Sequence, residues 1–130
     1  MLSMKLTIIR LEHFSDQDLI DLGKIWPEYS AASLSVDETH RIYAARFNER
    51  LLGAVRVTLS GAQGALDSLR IRDVTQRRGV GRYLVEEVLH DNPDVSSWWM
   101  ADVGVEDRNV MAAFMQVLGF TPQQNGWEKR

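Results

Sequence analysis

Cysteine is absent from the 130-residue chain, proline occurs three times, and no apolar run approaches the length of a membrane-spanning helix. Without thiols the chain has no disulfide framework, thiolate metal site or cysteine nucleophile. A transmembrane helix needs about 20 consecutive apolar residues, and residues 1–14 lack the apolar segment and cleavage site of a signal peptide. We therefore expect a cytoplasmic protein with no membrane partner.

The chain also has fewer basic than acidic residues, so its formal net charge is −3. Nucleic-acid-binding domains are usually basic, so we expect no nucleic-acid partner. The three histidines lack metal-ligand spacing, and we expect no bound metal. The 45% hydrophobic and 25% charged residues, in a length typical of one domain, predict a single globular domain over residues 1–130.

Arginine is nevertheless concentrated in one place, where five of the twelve arginines lie within thirteen residues, around two glycines. A solvated positive surface would account for such a cluster by itself. The glycines leave the backbone bare, however, and together with arginine they indicate a bound anion. The five arginines are Arg70, Arg72, Arg77, Arg78 and Arg82.

The hydrophobic periodicity predicts six strands and three helices. Ser15 is the expected N-cap of the first helix and Pro27 ends it, whereas Gly119 suits the C-cap of the third. The predicted strands cover residues 5–10, 40–47, 51–60, 65–74 and 95–103, with 126–130 as a short edge strand, and the predicted helices cover 15–27, 80–92 and 107–119.

This order of elements predicts the fold class. Hairpins fall in the first half of the chain, whereas helix and strand alternate in the second half. An α/β fold is therefore expected, with a mixed central β-sheet flanked by helices.

The segment Gln76–Arg82 joins the end of a predicted strand to the first turn of a predicted helix. A helix N-terminus offers unpaired N–H groups and a partial positive charge. Gly79 and Gly81 would let an anion approach those amides closely, and the neighbouring arginines would add charge-assisted hydrogen bonds. The segment therefore predicts a binding site for a diphosphate or a similar anion.

Two common nucleotide-binding motifs do not fit this segment. A mononucleotide P-loop requires a lysine after its glycines, and none follows here. The dinucleotide fingerprint requires a third glycine where Leu84 stands. A bare Gly-x-Gly also occurs in tight strand-to-helix turns, so the flanking Gln76 and the arginines are what favour anion binding.

Two stretches resemble motifs of the GNAT acetyltransferases. LRIRDVTQRRGVG resembles the acetyl-CoA motif of that family, a strand followed by Gln/Arg-x-x-Gly-x-Gly/Ala at the start of a helix, and FMQVLGF resembles the end of its last helix. The resemblance covers essentially the whole chain, including the order of elements. It implies a single GNAT-like domain with acetyl-CoA or CoA as its bound ligand.

The resemblance also implies which residues hold that ligand. The backbone of Leu69, Arg70 and Ile71 would pair with the pantetheine arm like an added strand. The amides of the following loop and helix start would bind the pyrophosphate. The residues of this second group are Thr75, Gln76, Arg77, Arg78, Gly79, Val80, Gly81 and Arg82.

One position departs from the family pattern in a way that bears on catalysis. The family's acid is commonly a tyrosine four residues before the glycine of the final Gly-Phe, and that position is Met115 here. Its base is often a glutamate on the strand before the loop, where this chain has Arg70 and Arg72. A thioether cannot donate a proton, and arginine does not act as a base at neutral pH. No catalytic residue is therefore predicted, and Met115 is expected to fill core.

Three longer stretches, which begin IIRLEHF, HRIYAARF and SWWMADV, are similar to one branch of the family, the maturation and regulatory factors of aspartate α-decarboxylase (PanD) in enteric bacteria. That similarity implies a non-enzymatic protein. Loaded with acetyl-CoA, it would bind the decarboxylase precursor, promote its self-cleavage to the pyruvoyl form and inhibit the mature enzyme. The result would be feedback control of pantothenate and CoA synthesis.

Arg46 and Asn48 are the predicted partner contacts, because they lie on a strand and turn beside the expected acyl end of the pocket. Each also has an ordinary structural explanation, as a surface arginine and as a turn-forming asparagine. The alternative function is a catalytically active N-acetyltransferase, which would need an acid other than Met115.

Overall fold

The computed structural model describes residues 6–30, 34–72, 79–102 and 108–130. Within these ranges the order of elements matches the predicted order except close to the C-terminal end. The elements are β1 (Thr7–Arg10), α1 (Asp16–Ile25), β2 (His40–Phe47), β3 (Arg50–Ser60), β4 (Gln63–Ile71), α2 (Val80–Asp91), β5 (Ser97–Ala101), α3 (Arg108–Val117), β6 (Thr121–Gln123) and β7 (Gly126–Lys129).

The strands form one mixed sheet in the order β1-β2-β3-β4-β5-β7-β6. Neighbouring strands are antiparallel except β4 and β5, which are parallel and lie on either side of α2 along the chain. The predicted fold class, an α/β domain with a mixed central sheet flanked by helices, is confirmed. Among the described residues, no helix is both long enough and apolar enough to cross a membrane.

The start of α1 follows directly from local sequence. The Asp18 N–H donates to Ser15 Oγ at 3.0 Å, and the Ser15 N–H donates to Asp18 Oδ2 at 3.1 Å, which together make a capping box. The helix ends at Ile25, two residues before Pro27. The predicted N-cap is confirmed, and the helix ends two residues earlier than the predicted end at Pro27.

The end of α3 is a Schellman turn. The Phe120 N–H donates to the Met115 carbonyl at 2.9 Å and the Gly119 N–H to the Gln116 carbonyl at 3.0 Å. Gly119 has a φ of 89°, a left-handed conformation that favours glycine. The predicted C-cap is therefore confirmed, and the turn leads the chain back into β6.

The C-terminal segment differs from its prediction. Residues 126–130 were expected to form an edge strand, but β7 lies between β5 and β6, and β6 forms the edge of the described sheet. Gln123 pairs with Gly126 across a two-residue turn. The short β6, with Pro122 at its centre, lacks the alternation by which a strand is predicted, and its pairing with β7 is what stabilises it.

Each face of the sheet has its own buried apolar cluster. The cluster under α2 and α3 includes Val57, Leu66 and Met100 from adjacent strands together with Leu84 from α2. The opposite cluster forms between α1 and the first three strands. Its fully buried members include Leu22, Ile25, Trp26, Leu51 and Ala54.

Candidate functional site

β4 continues beyond the part that pairs with β5. In the described residues the parallel register covers Gln63–Leu66 of β4, whereas the strand runs on to Ile71. On its other side β4 stays paired with β3, and Ile71 lies opposite Gly53. The end of β4 therefore has one paired edge and one edge that β5 leaves open.

The hydrogen-bonding pattern shows which peptide groups point to the open edge. The Arg72 N–H donates to the Leu52 carbonyl at 2.7 Å, and antiparallel pairs alternate, so the peptide groups of Arg70 also point towards β3. The carbonyl of Leu69 and both the N–H and carbonyl of Ile71 then point the other way. The carbonyls can accept hydrogen bonds from an extended ligand that lies beside β4, and the N–H can donate one to it.

A β-bulge lies where β4 leaves β5. The register against β3 shifts between Ala54 and Arg56, and Ser68 has a left-handed φ of 58°. Trp26 Nε1 donates to the Ser68 carbonyl at 2.7 Å, and Tyr29 Oη lies 2.9 Å from Ser68 Oγ. These bonds hold a backbone conformation that residues with a β-carbon seldom adopt. This feature was not predicted from the sequence, because its partners are far apart in the chain and belong to no motif.

α2 begins with no side chain capping its first turn. Its N-cap is Gly79, whose φ of 86° favours glycine. The Tyr83 N–H donates to the Gly79 carbonyl at 2.9 Å, and the N–H groups before it have no acceptor inside the helix. The first turn contains no acidic residue. The amides and the dipole at this end of α2 are therefore available to an anion.

Gly81 lies where β4, α2 and α3 converge. A β-carbon placed on it would lie 3.7 Å from Ile71 Cγ1 and 3.7 Å from two ring carbons of Phe114. Those are ordinary van der Waals distances, so the described residues do not themselves require glycine at this position. A small side chain would therefore fit between Ile71 and Phe114 without displacing either.

The predicted ligand-binding residues fall into two groups that the structure brings together, because Ile71 of the first lies close to Gly81 of the second. At the exposed surface of α2, Arg82 Nε lies 2.6 Å from Glu86 Oε1. The structure places Leu69, Arg70 and Ile71 on β4 and Gly79, Val80, Gly81 and Arg82 at the start of α2. Thr75, Gln76, Arg77 and Arg78 lie outside the described residues.

Asp21, fully buried in α1, is the acceptor of a polar cluster that the sequence analysis did not find. Arg50 Nη2 donates to Oδ1 at 2.6 Å, and the Leu51 N–H donates to Oδ2 at 3.0 Å. Burial by itself raises the pKa of Asp21, but hydrogen bonds from Arg50, Leu51 and Gln17 outweigh it and hold that pKa below its ordinary value. Asp21 thus fastens α1 to the start of β3.

The predicted partner contacts lie on the β2–β3 hairpin. Arg46 Nη2 donates to Asp18 Oδ1 at 3.2 Å, so its guanidinium contacts α1. Asn48 and Glu49 have φ of 55° and 66° and occupy the two central positions of the turn, the pattern of a type I′ hairpin. Both predicted contacts therefore have the structural roles that were their ordinary explanations, and their binding to a partner stays a prediction.

Met115 has no exposed surface. It belongs to the buried cluster under α2 and α3, together with Met100, Phe120 and Trp127. The prediction that it fills core is confirmed. Position 115 therefore presents no proton donor to the open edge of β4.

Sequence comparison relates the chain to proteins of known family. The family model described as "Acetyltransferase (GNAT) domain, PanZ" matches residues 5–128. The PanD regulatory factor of Salmonella typhimurium is 86% identical over 127 residues, which cover 98% of this chain and 100% of that protein. The PanD regulatory factor of Escherichia coli K12 is 79% identical over 126 residues, or 97% of this chain and 99% of that protein.

Structural comparison agrees with the sequence comparison. The solution NMR structure of the E. coli protein YhhK aligns with a TM-score of 0.87 and 79% sequence identity. The alignment covers 97% of this chain and 98% of that one. YhhK was solved bound to coenzyme A.

Proposed function

The chain belongs to the PanZ family of GNAT domains, and from that premise we propose that it is an acetyl-CoA-dependent regulator of aspartate α-decarboxylase (PanD). It binds the decarboxylase precursor, promotes self-cleavage to the pyruvoyl form and inhibits the mature enzyme. The acetyl-CoA supply then controls pantothenate and CoA synthesis. The observation that carries this proposal is the 86% identity to a PanD regulatory factor over 98% of the chain.

The open edge of β4 and the start of α2 support acetyl-CoA as the ligand. The amide arm of pantetheine can pair with the outward peptide groups of Leu69 and Ile71 as an added strand. Its pyrophosphate can lie against the first turn of α2, where Gly79 and Gly81 leave the amides uncovered. The bound coenzyme A of YhhK, which shares 79% of this sequence, supports the same assignment.

The burial of Met115 supports a regulatory role over an enzymatic one. Acetyl transfer to an amine requires proton transfers, including a proton for the leaving thiolate. The residue at the family's usual acid position is a fully buried thioether here, which has no proton to donate. Bound acetyl-CoA that is not consumed can report its own concentration.

Thermodynamic linkage explains how such a report reaches the decarboxylase. If acetyl-CoA favours the form of this protein that binds the precursor, its concentration sets the affinity of the complex, and the precursor strengthens acetyl-CoA binding by the same factor. Self-cleavage requires the precursor backbone to be strained towards its own serine. A partner that binds the strained form preferentially would promote this zymogen activation.

The decisive experiment measures cleavage of purified decarboxylase precursor by gel electrophoresis. We expect faster cleavage with this protein and acetyl-CoA together than with either alone. Activity of the mature decarboxylase should fall when the same two components are added.

Two results would contradict the proposal. Precursor cleavage that is unchanged by the loaded protein would remove the regulatory role. Steady release of free thiol from acetyl-CoA in the presence of an amine would instead favour the alternative, an active N-acetyltransferase with an acid other than Met115.

The placement of the pyrophosphate is tested by Gly81→Asp. The added β-carbon meets only ordinary contacts in the described protein, and a carboxylate suits the first turn of a helix, so the fold should be kept. Acetyl-CoA affinity, measured by calorimetry, should fall at least tenfold (a loss of about 1.4 kcal/mol), because the carboxylate repels the pyrophosphate and competes for the amides of the first turn.

Gly23→Asp is the matched control, because it makes the same change in net charge. Gly23 also lies within a helix, and a β-carbon there would have no neighbour within 4 Å. It should leave acetyl-CoA affinity unchanged. Equal affinities for both variants would contradict the proposed position of the pyrophosphate.

A further inference from the structure

The tip of the β2–β3 hairpin carries a glutamate in a backbone conformation that favours glycine. Glu49 has a φ of 66° and follows Asn48, whose φ is 55°. In a type I′ turn the second central position is most often glycine, because a β-carbon is unfavourable there. Asn48 suits its position and Glu49 does not.

No contact within the described part of the chain compensates for this conformation. Glu49 is exposed, and none of the ion pairs or side-chain hydrogen bonds found among the described residues includes its carboxylate. An exposed residue that opposes the local backbone preference, without an internal partner, is a candidate for an external contact.

The neighbouring arginines do not neutralise Glu49. Arg46 Nη2 lies 3.2 Å from Asp18 Oδ1, and Arg50 Nη2 lies 2.6 Å from Asp21 Oδ1, so α1 supplies a carboxylate to each. The charge left over at the hairpin tip is therefore the negative charge of Glu49. A partner that is complementary to this tip would present a basic side chain.

The hairpin is also held firmly enough to present that charge in a fixed place. The Leu51 N–H donates to Asp21 Oδ2 at 3.0 Å, directly after the turn. Arg46 and Arg50 fasten the two strands of the hairpin to the same helix. A backbone held in this way loses less conformational freedom on binding, so a charge carried on it contributes more than a charge on a mobile loop.

We propose that Glu49 is a contact residue for the decarboxylase and that it pairs with a lysine or arginine of that protein. This inference rests on the proposed function and extends it from the whole chain to one residue. The predicted partner contacts Arg46 and Asn48 lie on the same hairpin, and their binding to the decarboxylase stays a prediction.

The test compares two substitutions that separate charge from backbone strain. Glu49→Gly relieves the strain and removes the charge, so the Tm should rise by about 3 °C while the affinity for purified decarboxylase falls roughly tenfold. Glu49→Gln keeps the strain, so its Tm should be unchanged and its affinity should fall by a similar factor. Affinities are measured by calorimetry with the acetyl-CoA-loaded protein at low and at high salt.

Glu12→Gln is the matched control, because it makes the same change in net charge. Glu12 is exposed and lies two residues beyond the end of β1. The last residue of β1, Arg10, pairs with Tyr43, so Glu12 lies near the start of β2, whereas the turn follows the end of β2. Its affinity for the decarboxylase should equal that of the unmodified chain. The salt dependence of binding should weaken for Glu49→Gln and not for this control.

The outcomes separate this inference from the proposed function. If the unmodified chain and the Glu49 variants bind the decarboxylase with equal affinity, the role of Glu49 is overturned. The proposed regulatory function then stays intact. A lower affinity for Glu49→Gly with an unchanged affinity for Glu49→Gln would also overturn it, since charge would then be irrelevant. If the unmodified, loaded chain does not bind the decarboxylase, the inference and the proposed function are both wrong.

Discussion

The two faces of the sheet hold their helices by different forces. Under α2 and α3 the buried cluster is mainly apolar, with residues such as Leu84, Met100 and Met115. Its polar contact is at the end of α2, where Tyr43 Oη of β2 donates to Asp91. On the other face, α1 adds to its apolar cluster two carboxylates that pair with arginines, Asp18 with Arg46 and Asp21 with Arg50. Apolar burial is non-directional, whereas hydrogen-bonded ion pairs fix geometry. The comparison suggests that packing determines how strongly α2 and α3 are held, and charge determines where α1 lies.

The position of α1 matters because the helix meets both parts of the molecule to which a function is assigned. Asp21 contacts the start of β3 beside the hairpin, while Glu28, just after α1, pairs with Arg70 at the open end of β4. Small shifts of α1 would therefore move the partner surface relative to the ligand site.

The largest effect is expected on the apolar face. Leu84→Ala removes a side chain with no exposed surface from the cluster under α2, and such truncations cost about 2–5 kcal/mol of unfolding free energy. Chemical denaturation measures the change. Val117→Ala on the exposed side of α3 should cost less than about 0.5 kcal/mol, and equal losses for the two variants would contradict the described core.

A smaller effect is expected when the charge of the other face is removed. Asp21→Asn keeps the shape of the side chain but leaves Arg50 without its carboxylate, and we expect a loss of about 2 kcal/mol, since Arg50 can regain water. Asp16→Asn, at an exposed first-turn position of the same helix, should cost only about 0.5 kcal/mol through the helix dipole. A loss for Asp21→Asn no larger than this would show that charge does not hold α1.

The pH dependence of stability sharpens that result. Because the folded-state pKa of Asp21 lies below the ordinary value of 3.8, its contribution is present above that pH and is lost as the pH falls through the lower value. Backbone hydrogen bonds from Thr39 and His40 lower the pKa of Asp37 to about 2. The contribution of Asp37 to stability is therefore also lost in acid, but equally in the unmodified chain and in Asp21→Asn. The difference between unmodified chain and Asp21→Asn should therefore be constant from pH 7 to 5 and shrink below pH 4.

The smallest effect on the free energy of unfolding is expected for the exposed ion pair between Glu28 and Arg70, on the face that α1 covers. Glu28 is 47% exposed, and exposed ion pairs contribute little. Glu28→Gln should therefore change the unfolding free energy by less than about 0.5 kcal/mol, while Arg70 keeps the Ile25 carbonyl as an acceptor at 3.2 Å. A loss larger than that of Asp21→Asn in denaturation experiments would reverse the order proposed for this face.

The sequence predicts the elements whose limits are set locally. The bounds of β2 and the start of α2 at Val80 agree with the structure, because alternation, glycine and the Asn-Pro pair act within a few residues. β6 was missed, since its three residues have no pattern of their own and are stabilised by pairing with β7. The bulge at Ser68 was missed for the same reason, because Trp26 and Tyr29 fix it from a distant part of the chain.

The candidate site also has features that local sequence predicts and features that it does not. Its glycines and its helix start were predictable from spacing, and the structure adds the contact between the positions of Gly81 and Ile71. The ion pairs of α1 were not predictable, because a buried Asp21 and an exposed Asp16 look alike in sequence. Which arginine each acid would pair with depends on tertiary packing, which no local pattern encodes.

The consecutive pairing of β1, β2, β3 and β4 also determines the order in which the protein can form during its synthesis. β1–β4 are consecutive along the chain and antiparallel, so they can pair through short-range contacts once residue 71 has left the ribosome. At that moment the apolar side chains of Val55, Val57 and Leu66 have no helix over them, because α2 follows later. This half-covered sheet is the stage of the nascent chain most exposed to aggregation, and the one a chaperone would have to shield.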